Sequence, residues 1–165
     1  MKIMKIMHEH GFKFSLEKDG AGTFEDSMVA VLFAALIHDI GMSIGRENHE
    51  RNGAMLANSI LTRILAKIYP DEFEKQIIVR ALALECIFGH MGTVKIHSYE
   101  AGVVLIADGC DMEKGRSRIP IMINDEPKVG DIHQYSSASI EKVNILKGES
   151  KPLLINVEMS ASVGF

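Results

Sequence analysis

The stretch MVAVLFAALIHDIG, at residues 28–41, decides the fold. Its first ten residues are all apolar, which is typical of a helix buried in the centre of a helical domain. The helix ends in an adjacent histidine and aspartate, His38 and Asp39, before Gly41 lets the chain turn. An ionised aspartate at the end of an apolar helix requires a positive partner, because burying an isolated carboxylate costs several kcal/mol.

The positive partner of Asp39 could be an arginine, a lysine, a helix terminus or a metal ion. Further histidines and carboxylates at the ends of predicted helices, or in the loops between them, favour the metal ion; they are His49, His90, His97 and Asp108. Mixed imidazole and carboxylate ligands suit Mn, Fe, Ni, Co, Zn and, less well, Mg. The alternative is a structural His-Asp hydrogen bond, with His49 exposed at a helix start and His90 favoured by the dipole at a helix end.

The pattern around this helix predicts a largely helical chain. Thr23 and Asp26 have the spacing of a capping box, which predicts the start of the central helix. Asp71, directly after Pro70, is predicted to cap a later helix. A loop is predicted at residues 12–23, and the other helices are predicted at residues 1–10, 49–69, 72–90 and 98–112.

The last part of the sequence has a different character. β-Branched residues alternate with polar ones in IEKVNIL, at residues 140–146, and in LLINVEM, at residues 153–159. These runs predict a β-hairpin that turns across residues 147–151, and a short helix is predicted before it at residues 132–138. The fold class predicted from the sequence is therefore mainly α with a small α+β C-terminal extension.

Composition limits the classes of protein to consider. The chain has 165 residues, of which 47% are hydrophobic, so it can form one substantial core. The net charge is −4 without a long run of either sign, which gives no evident nucleic-acid or membrane surface. No apolar run reaches the roughly 18–20 residues of a membrane span. Cys86 and Cys110 lack paired spacing, which favours a reducing, cytoplasmic location.

Four motifs, in their order along the chain, resemble the metal motifs of HD-domain phosphohydrolases. They are AALIHDIG at residues 34–41, NHERNGAML at 48–56, CIFGH at 86–90 and VLIADGCDM at 104–112. The resemblance covers residues 28–118 and implies an HD-type helical bundle. We expect this domain to occupy residues 1–118, with its N-terminal helix truncated, and the extension to occupy residues 119–165.

The resemblance also implies a site for one or two divalent metal ions. His38, Asp39 and Asp108 would bind the first ion, and His49 and His90 would bind a second ion or the phosphate; Asp39 and Asp108 would be the catalytic carboxylates. His97 and Asp111 are weaker candidates. From their position after the last motif, Arg116 and Arg118 are predicted to bind the substrate phosphate. The family has a further histidine in the helix before the HD helix, and neither His8 nor His10 stands where it would be expected.

The activity implied by the resemblance is hydrolysis of a phosphate ester by a metal-activated water. The substrate would be a phosphorylated small molecule or a nucleotide, as a phosphomonoester or a phosphodiester. The residues after His90, MGTVKIHS, lack the GYP loop that would suggest a cyclic dinucleotide. The alternative is a non-catalytic HD-fold module that binds a nucleotide or a protein partner. A homodimer formed through the edge strand of the hairpin is a further hypothesis.

Overall fold

The computed structural model describes residues 1–112 and 139–160. Its helices are α1 (Lys2–Glu9), α2 (Ser15–Lys18), α3 (Phe24–Ile37), α4 (His49–Ile68), α5 (Phe73–Gly89) and α6 (Tyr99–Cys110). A 3-10 helix, Ile40–Ser43, stands between α3 and α4, and the strands are β1 (Ile140–Lys147) and β2 (Leu153–Met159). The prediction of a mainly α fold with a C-terminal hairpin is confirmed.

The chain divides into two compact units, Met1–Ile106 and Ala107–Phe165. In the first unit α5 packs between α3 and α4, and the 3-10 helix packs on α4. Every helix of this bundle contributes to its core, through side chains that include Met4, Leu16, Val31, Leu61, Ile87 and Val104. The predicted domain boundary between residues 118 and 119 lies outside the described residues and stays a prediction.

The start of α3 confirms the predicted capping box. The Asp26 amide donates to the Thr23 hydroxyl at 3.3 Å, and the Thr23 amide donates to Asp26 Oδ2 at 2.9 Å. Asp26 is buried, and its Oδ1 accepts a hydrogen bond of 2.9 Å from the Tyr69 hydroxyl. Burial by itself would raise the pKa of Asp26, but the hydrogen bonds from Thr23 and Tyr69 favour the carboxylate and hold the pKa below its ordinary value.

The lowered pKa of Asp26 gives a prediction about stability and pH. A carboxyl group with a lowered pKa in the folded state stabilises the fold above its unfolded pKa of about 4, and this contribution is lost as the pH falls through the folded pKa. We expect Asp26→Asn to lower the free energy of unfolding by about 1–3 kcal/mol at neutral pH, and by less in acid. Chemical denaturation across the pH range measures this difference. Glu25→Gln, at the exposed neighbouring position, is the matched control; an Asp26→Asn effect as large at about pH 2 as at neutral pH would contradict the expectation.

The predicted loop at residues 12–23 contains one helical turn, α2, which the sequence did not predict. The cause lies far along the chain, in the buried carboxylate of Glu100 on α6. This carboxylate accepts hydrogen bonds from the amides of Ser15 and Leu16 at 3.3 and 3.4 Å, and from the Ser27 hydroxyl at 2.7 Å. The first amides of α2 therefore have an acceptor that the local sequence does not supply.

The connection between α4 and α5 corrects one predicted cap. α4 starts at His49 and ends before Pro70, as predicted, but the cap residue of α5 is Glu72 and not Asp71. Asp71 has a left-handed backbone conformation with φ +65° and lies within the turn. Aspartate tolerates this conformation better than most residues. Asp71 therefore forms part of the turn between α4 and α5 and does not cap α5.

The hairpin is antiparallel, and Lys147 pairs with Leu153 at its closed end. Ile145 pairs with Ile155 and Val143 with Val157 on one face of the two strands. Both strands and the turn agree with the prediction. The helix predicted at residues 132–138 lies outside the described residues.

One stretch, Phe24–Ser43, is long and apolar enough to cross a membrane by length and mean hydropathy alone. Core helices of soluble proteins meet the same criterion. The first turn of this stretch carries the buried carboxylate of Asp26, and α3 packs against α5. These features agree with a core helix of a soluble protein; the cytoplasmic location stays a prediction.

Candidate metal centre

The candidate centre is built from three helix ends of the first unit. α3 ends at Ile37, earlier than predicted, so that His38 is its C-terminal cap residue and Asp39 precedes the 3-10 helix. His49 is the first residue of α4, and His90 is the C-terminal cap residue of α5. Helix ends with this arrangement bring together residues that are far apart in sequence.

Two glycines allow the 3-10 helix to pack closely on the first turns of α4. A Cβ atom on Gly41 would overlap the carbonyl oxygen of His49 and the amide nitrogen of Gly53. A Cβ atom on Gly53 would lie 3.1 Å from the carbonyl oxygen of His38. The backbones can therefore approach only because side chains are absent here, and this approach places His49 beside the His38–Asp39 pair.

Four of the sequence-predicted ligand residues meet at this point. His49 Nε2 lies 3.2 Å from His90 Nε2 and 3.3 Å from Asp39 Oδ1. His90 Nε2 lies 3.6 Å from Asp39 Oδ1, and His38 Nε2 lies 3.6 Å from Asp39 Oδ2. Ligand atoms of His38, Asp39 and His90 all lie within 4.8 Å of one another, an arrangement that could hold a metal ion.

The orientation of the three imidazole rings follows from hydrogen bonds to the backbone. Each Nδ1 atom lies against the carbonyl oxygen three residues earlier: His38 against Ala35 at 3.0 Å, His49 against Arg46 at 3.0 Å and His90 against Ile87 at 2.6 Å. A carbonyl oxygen only accepts hydrogen bonds, so these contacts assign the hydrogen to Nδ1 in each ring. In the neutral ring the lone pair is then on Nε2, the atom that lies near Asp39.

The Nε2 atoms of His49 and His90 lie 3.2 Å apart, within hydrogen-bonding distance of each other. If both rings are neutral with hydrogen on Nδ1, both Nε2 atoms are acceptors, and two acceptors 3.2 Å apart repel each other. A proton on one ring or a metal ion would remove the repulsion. Because the carboxylate of Asp39 also lies here, the donor set of nitrogen and oxygen atoms fits a divalent transition metal ion.

The centre is closed on its histidine side and open on its carboxylate side. His90 and His49 are only 1% and 8% exposed, whereas 45% of the Asp39 side chain is exposed. Glu50 adds a second negative charge, with its Oε2 atom 3.6 Å from His49 Nδ1 and its side chain 16% exposed. A ligand that enters from solvent would therefore meet Asp39 first.

The sequence analysis did not predict Glu50 or the backbone carbonyl partners of the rings. General properties of helix ends could have indicated both. The last carbonyl groups of a helix have no amide partner within the helix, so a histidine cap can use them, as His38 and His90 do. Acidic residues are favoured in the first turn of a helix, where Glu50 lies.

The other predicted site residues lie after α5 in the chain. Asp108 is partly exposed in the last turn of α6 and belongs, like Asp111, to the second unit. Arg116 and Arg118 lie outside the described residues. His97 is exposed, and its amide donates to Glu85 Oε1 at 2.6 Å, so its backbone fixes the loop before α6.

The fold and these side chains define a mainly helical protein with a candidate His/Asp metal centre. The chain is similar to the protein named "Uncharacterized protein MJ1020" of Methanocaldococcus jannaschii, with 43% identity over 164 residues. The alignment covers 99% of this chain but only 61% of the length of that relative. No family model matches the chain, and no solved structure matches it significantly.

Proposed function

We propose that this chain is the metal-binding part of an HD-type phosphohydrolase, which hydrolyses a phosphate ester with one or two divalent metal ions. The observation that carries the proposal is the convergence of His38, His49 and His90, each with Nδ1 bonded to a carbonyl oxygen, around Asp39. The order of the four sequence motifs, which resembles that family, supports the same proposal.

In this proposal His38, Asp39 and His90 hold the first ion, and His49 holds a second ion or the phosphate; the family resemblance implies Asp108 as a further ligand. A bound divalent ion supplies a Lewis acid that draws electron density from phosphate oxygens and lowers the pKa of water. The backbone hydrogen bonds fix the ring planes, so the Nε2 lone pairs are oriented before any ligand arrives.

The carboxylates would act on the substrate side. Asp39 is half exposed and close to all three rings, so it can accept a hydrogen bond from a water molecule and orient it toward a phosphorus atom. Glu50 adds a negative charge beside the His49 ring, with its Oε2 atom 3.6 Å from Nδ1. Arg116 and Arg118 remain the proposed partners of the phosphate oxygens.

Hydrolysis of two chromogenic esters tests the proposed function. We expect the full chain, loaded with Mn²⁺ or Ni²⁺, to release nitrophenolate from p-nitrophenyl phosphate or bis(p-nitrophenyl) phosphate, and the reaction to stop when a chelator is added. Asp39→Asn should lower kcat/KM by about a hundredfold or more, because it removes a negatively charged ligand and water acceptor. Asp71→Asn, in the turn between α4 and α5, is the matched control.

Each alternative outcome has a distinct meaning. Metal binding without hydrolysis of either ester would contradict the enzymatic proposal and favour the non-catalytic binding module. Hydrolysis that survives both the chelator and Asp39→Asn would place the activity at another site.

A further inference from the structure

A second concave site lies in the first unit and shares no residue with the histidine cluster. It is an open cavity of about 440 Å³ between α2, α5 and the start of α6, and it includes Leu16, Lys18, Glu85 and Tyr99 in its walls. Sites for small ligands commonly have volumes of roughly 300–1,000 Å³. The cavity is therefore large enough for a small metabolite.

One wall of the cavity offers a positive charge and several hydrogen-bond donors. Lys18 Nζ donates a hydrogen bond of 3.1 Å to the Tyr99 hydroxyl oxygen. The ammonium group has two further N–H bonds, and the phenol keeps its own proton to donate. The ring of Tyr99 is fixed by an edge contact with Phe12, whose centroid is 4.9 Å away. This pair therefore presents donor hydrogens and one positive charge to the cavity.

The opposite charge comes from Glu85. Its Oε1 atom accepts hydrogen bonds from the amides of His97 and Ser98, at 2.6 and 3.3 Å. Within residues 1–112 and 139–160, Oε2 of Glu85 accepts no hydrogen bond, so it can receive one from a ligand. Asp19 adds a second negative charge to the lining, and the nearly buried Leu16 and Leu82 supply apolar surface.

We propose that this cavity binds a small zwitterion of the α-amino acid class. Its carboxylate would contact Lys18 and Tyr99, its ammonium group would contact Glu85, and its side chain would lie on the apolar surface. An anion would be attracted by Lys18 but repelled by Glu85 and Asp19, and a cation would be attracted by the carboxylates but repelled by Lys18. A ligand with both charges has a partner of opposite charge for each, so it is favoured. This proposal does not depend on the metal centre.

Isothermal titration calorimetry on the full chain, stripped of metal with a chelator, tests the proposal. The probes are the standard amino acids one at a time, with acetate as a ligand that is only anionic and ethylamine as a ligand that is only cationic. We expect at least one amino acid to bind with a Kd of about 1 mM or tighter, and acetate and ethylamine to bind more weakly. Lys18→Met and Tyr99→Phe should each weaken binding about tenfold, while exposed Lys13→Met should leave it unchanged.

Tyr99→Phe removes the hydroxyl group and keeps the ring against Phe12, so it tests the contact without disturbing the packing. Binding of no amino acid would overturn the proposal. It would also be overturned by affinity that is unchanged in both cavity variants, or by acetate or ethylamine binding as tightly as any amino acid.

Discussion

Replacing His90 with alanine is expected to lower the affinity of the chain for Mn²⁺ or Ni²⁺ by about a hundredfold or more. Its Nε2 atom lies 3.2 Å from that of His49 and 3.6 Å from Asp39 Oδ1, at the buried end of the cluster. Even residues that only support a metal ligand contribute roughly 10–100-fold to affinity, so loss of a ligand should have at least this effect. Competition titration with a chelating indicator measures the change.

Two comparisons separate the loss of a ligand from a loss of folding. His10→Ala, at the exposed end of α1, removes an imidazole far along the chain from the cluster and should leave the affinity unchanged. Thermal unfolding of His90→Ala without metal shows whether the variant is folded. A folded His90→Ala protein that binds the ion as tightly as the original chain would show that His90 is not a ligand.

Gly41→Ala is expected to destabilise the first unit by about 3 kcal/mol or more. The new methyl group would overlap the carbonyl oxygen of His49 and the amide nitrogen of Gly53. Excess volume in a packed core costs about 1–3 kcal/mol when side chains can adjust, and here the obstacle is backbone, which adjusts less. Because the 3-10 helix must then move from α4, metal affinity should fall together with the free energy of unfolding.

Gly45→Ala is the matched control for this variant. Gly45 follows the same 3-10 helix, and a Cβ atom there would meet no atom within 4 Å. We expect its free energy of unfolding to change by no more than about 0.5 kcal/mol. Chemical denaturation of both variants measures the difference; a Gly41→Ala protein as stable as Gly45→Ala would contradict the close packing of the 3-10 helix on α4.

The sequence predicted those helix starts and ends that depend on residues close together in the chain. The capping box of Thr23 and Asp26 involves residues three apart, and the end of α4 before Pro70 follows from proline itself. α2 was missed because its first amides bond to Glu100, about 84 residues away. The left-handed turn at Asp71 was missed because aspartate is favoured both as a helix cap and in such turns.

The candidate site could be predicted only in part, because its residue types are visible in the sequence but its long-range contacts are not. The motifs indicated which residue types would gather, but the approach of His49 to His90 joins positions 41 residues apart and depends on how α4 packs on α5. The ring orientations depend on carbonyl groups such as that of Arg46, which any residue would provide. For Asp108 the structure gives its position in the last turn of α6, and its role as a ligand stays a proposal.

The central claim is that the histidine cluster around Asp39 holds a divalent metal ion. Anomalous diffraction from crystals of the full chain grown with Mn²⁺ tests it most directly, because the signal locates the ion itself. We expect a strong anomalous peak in contact with His38 Nε2, His90 Nε2 and the Asp39 carboxylate. Crystals that show no peak there with Mn²⁺ or with Ni²⁺, or that show peaks only elsewhere on the protein, would contradict the claim.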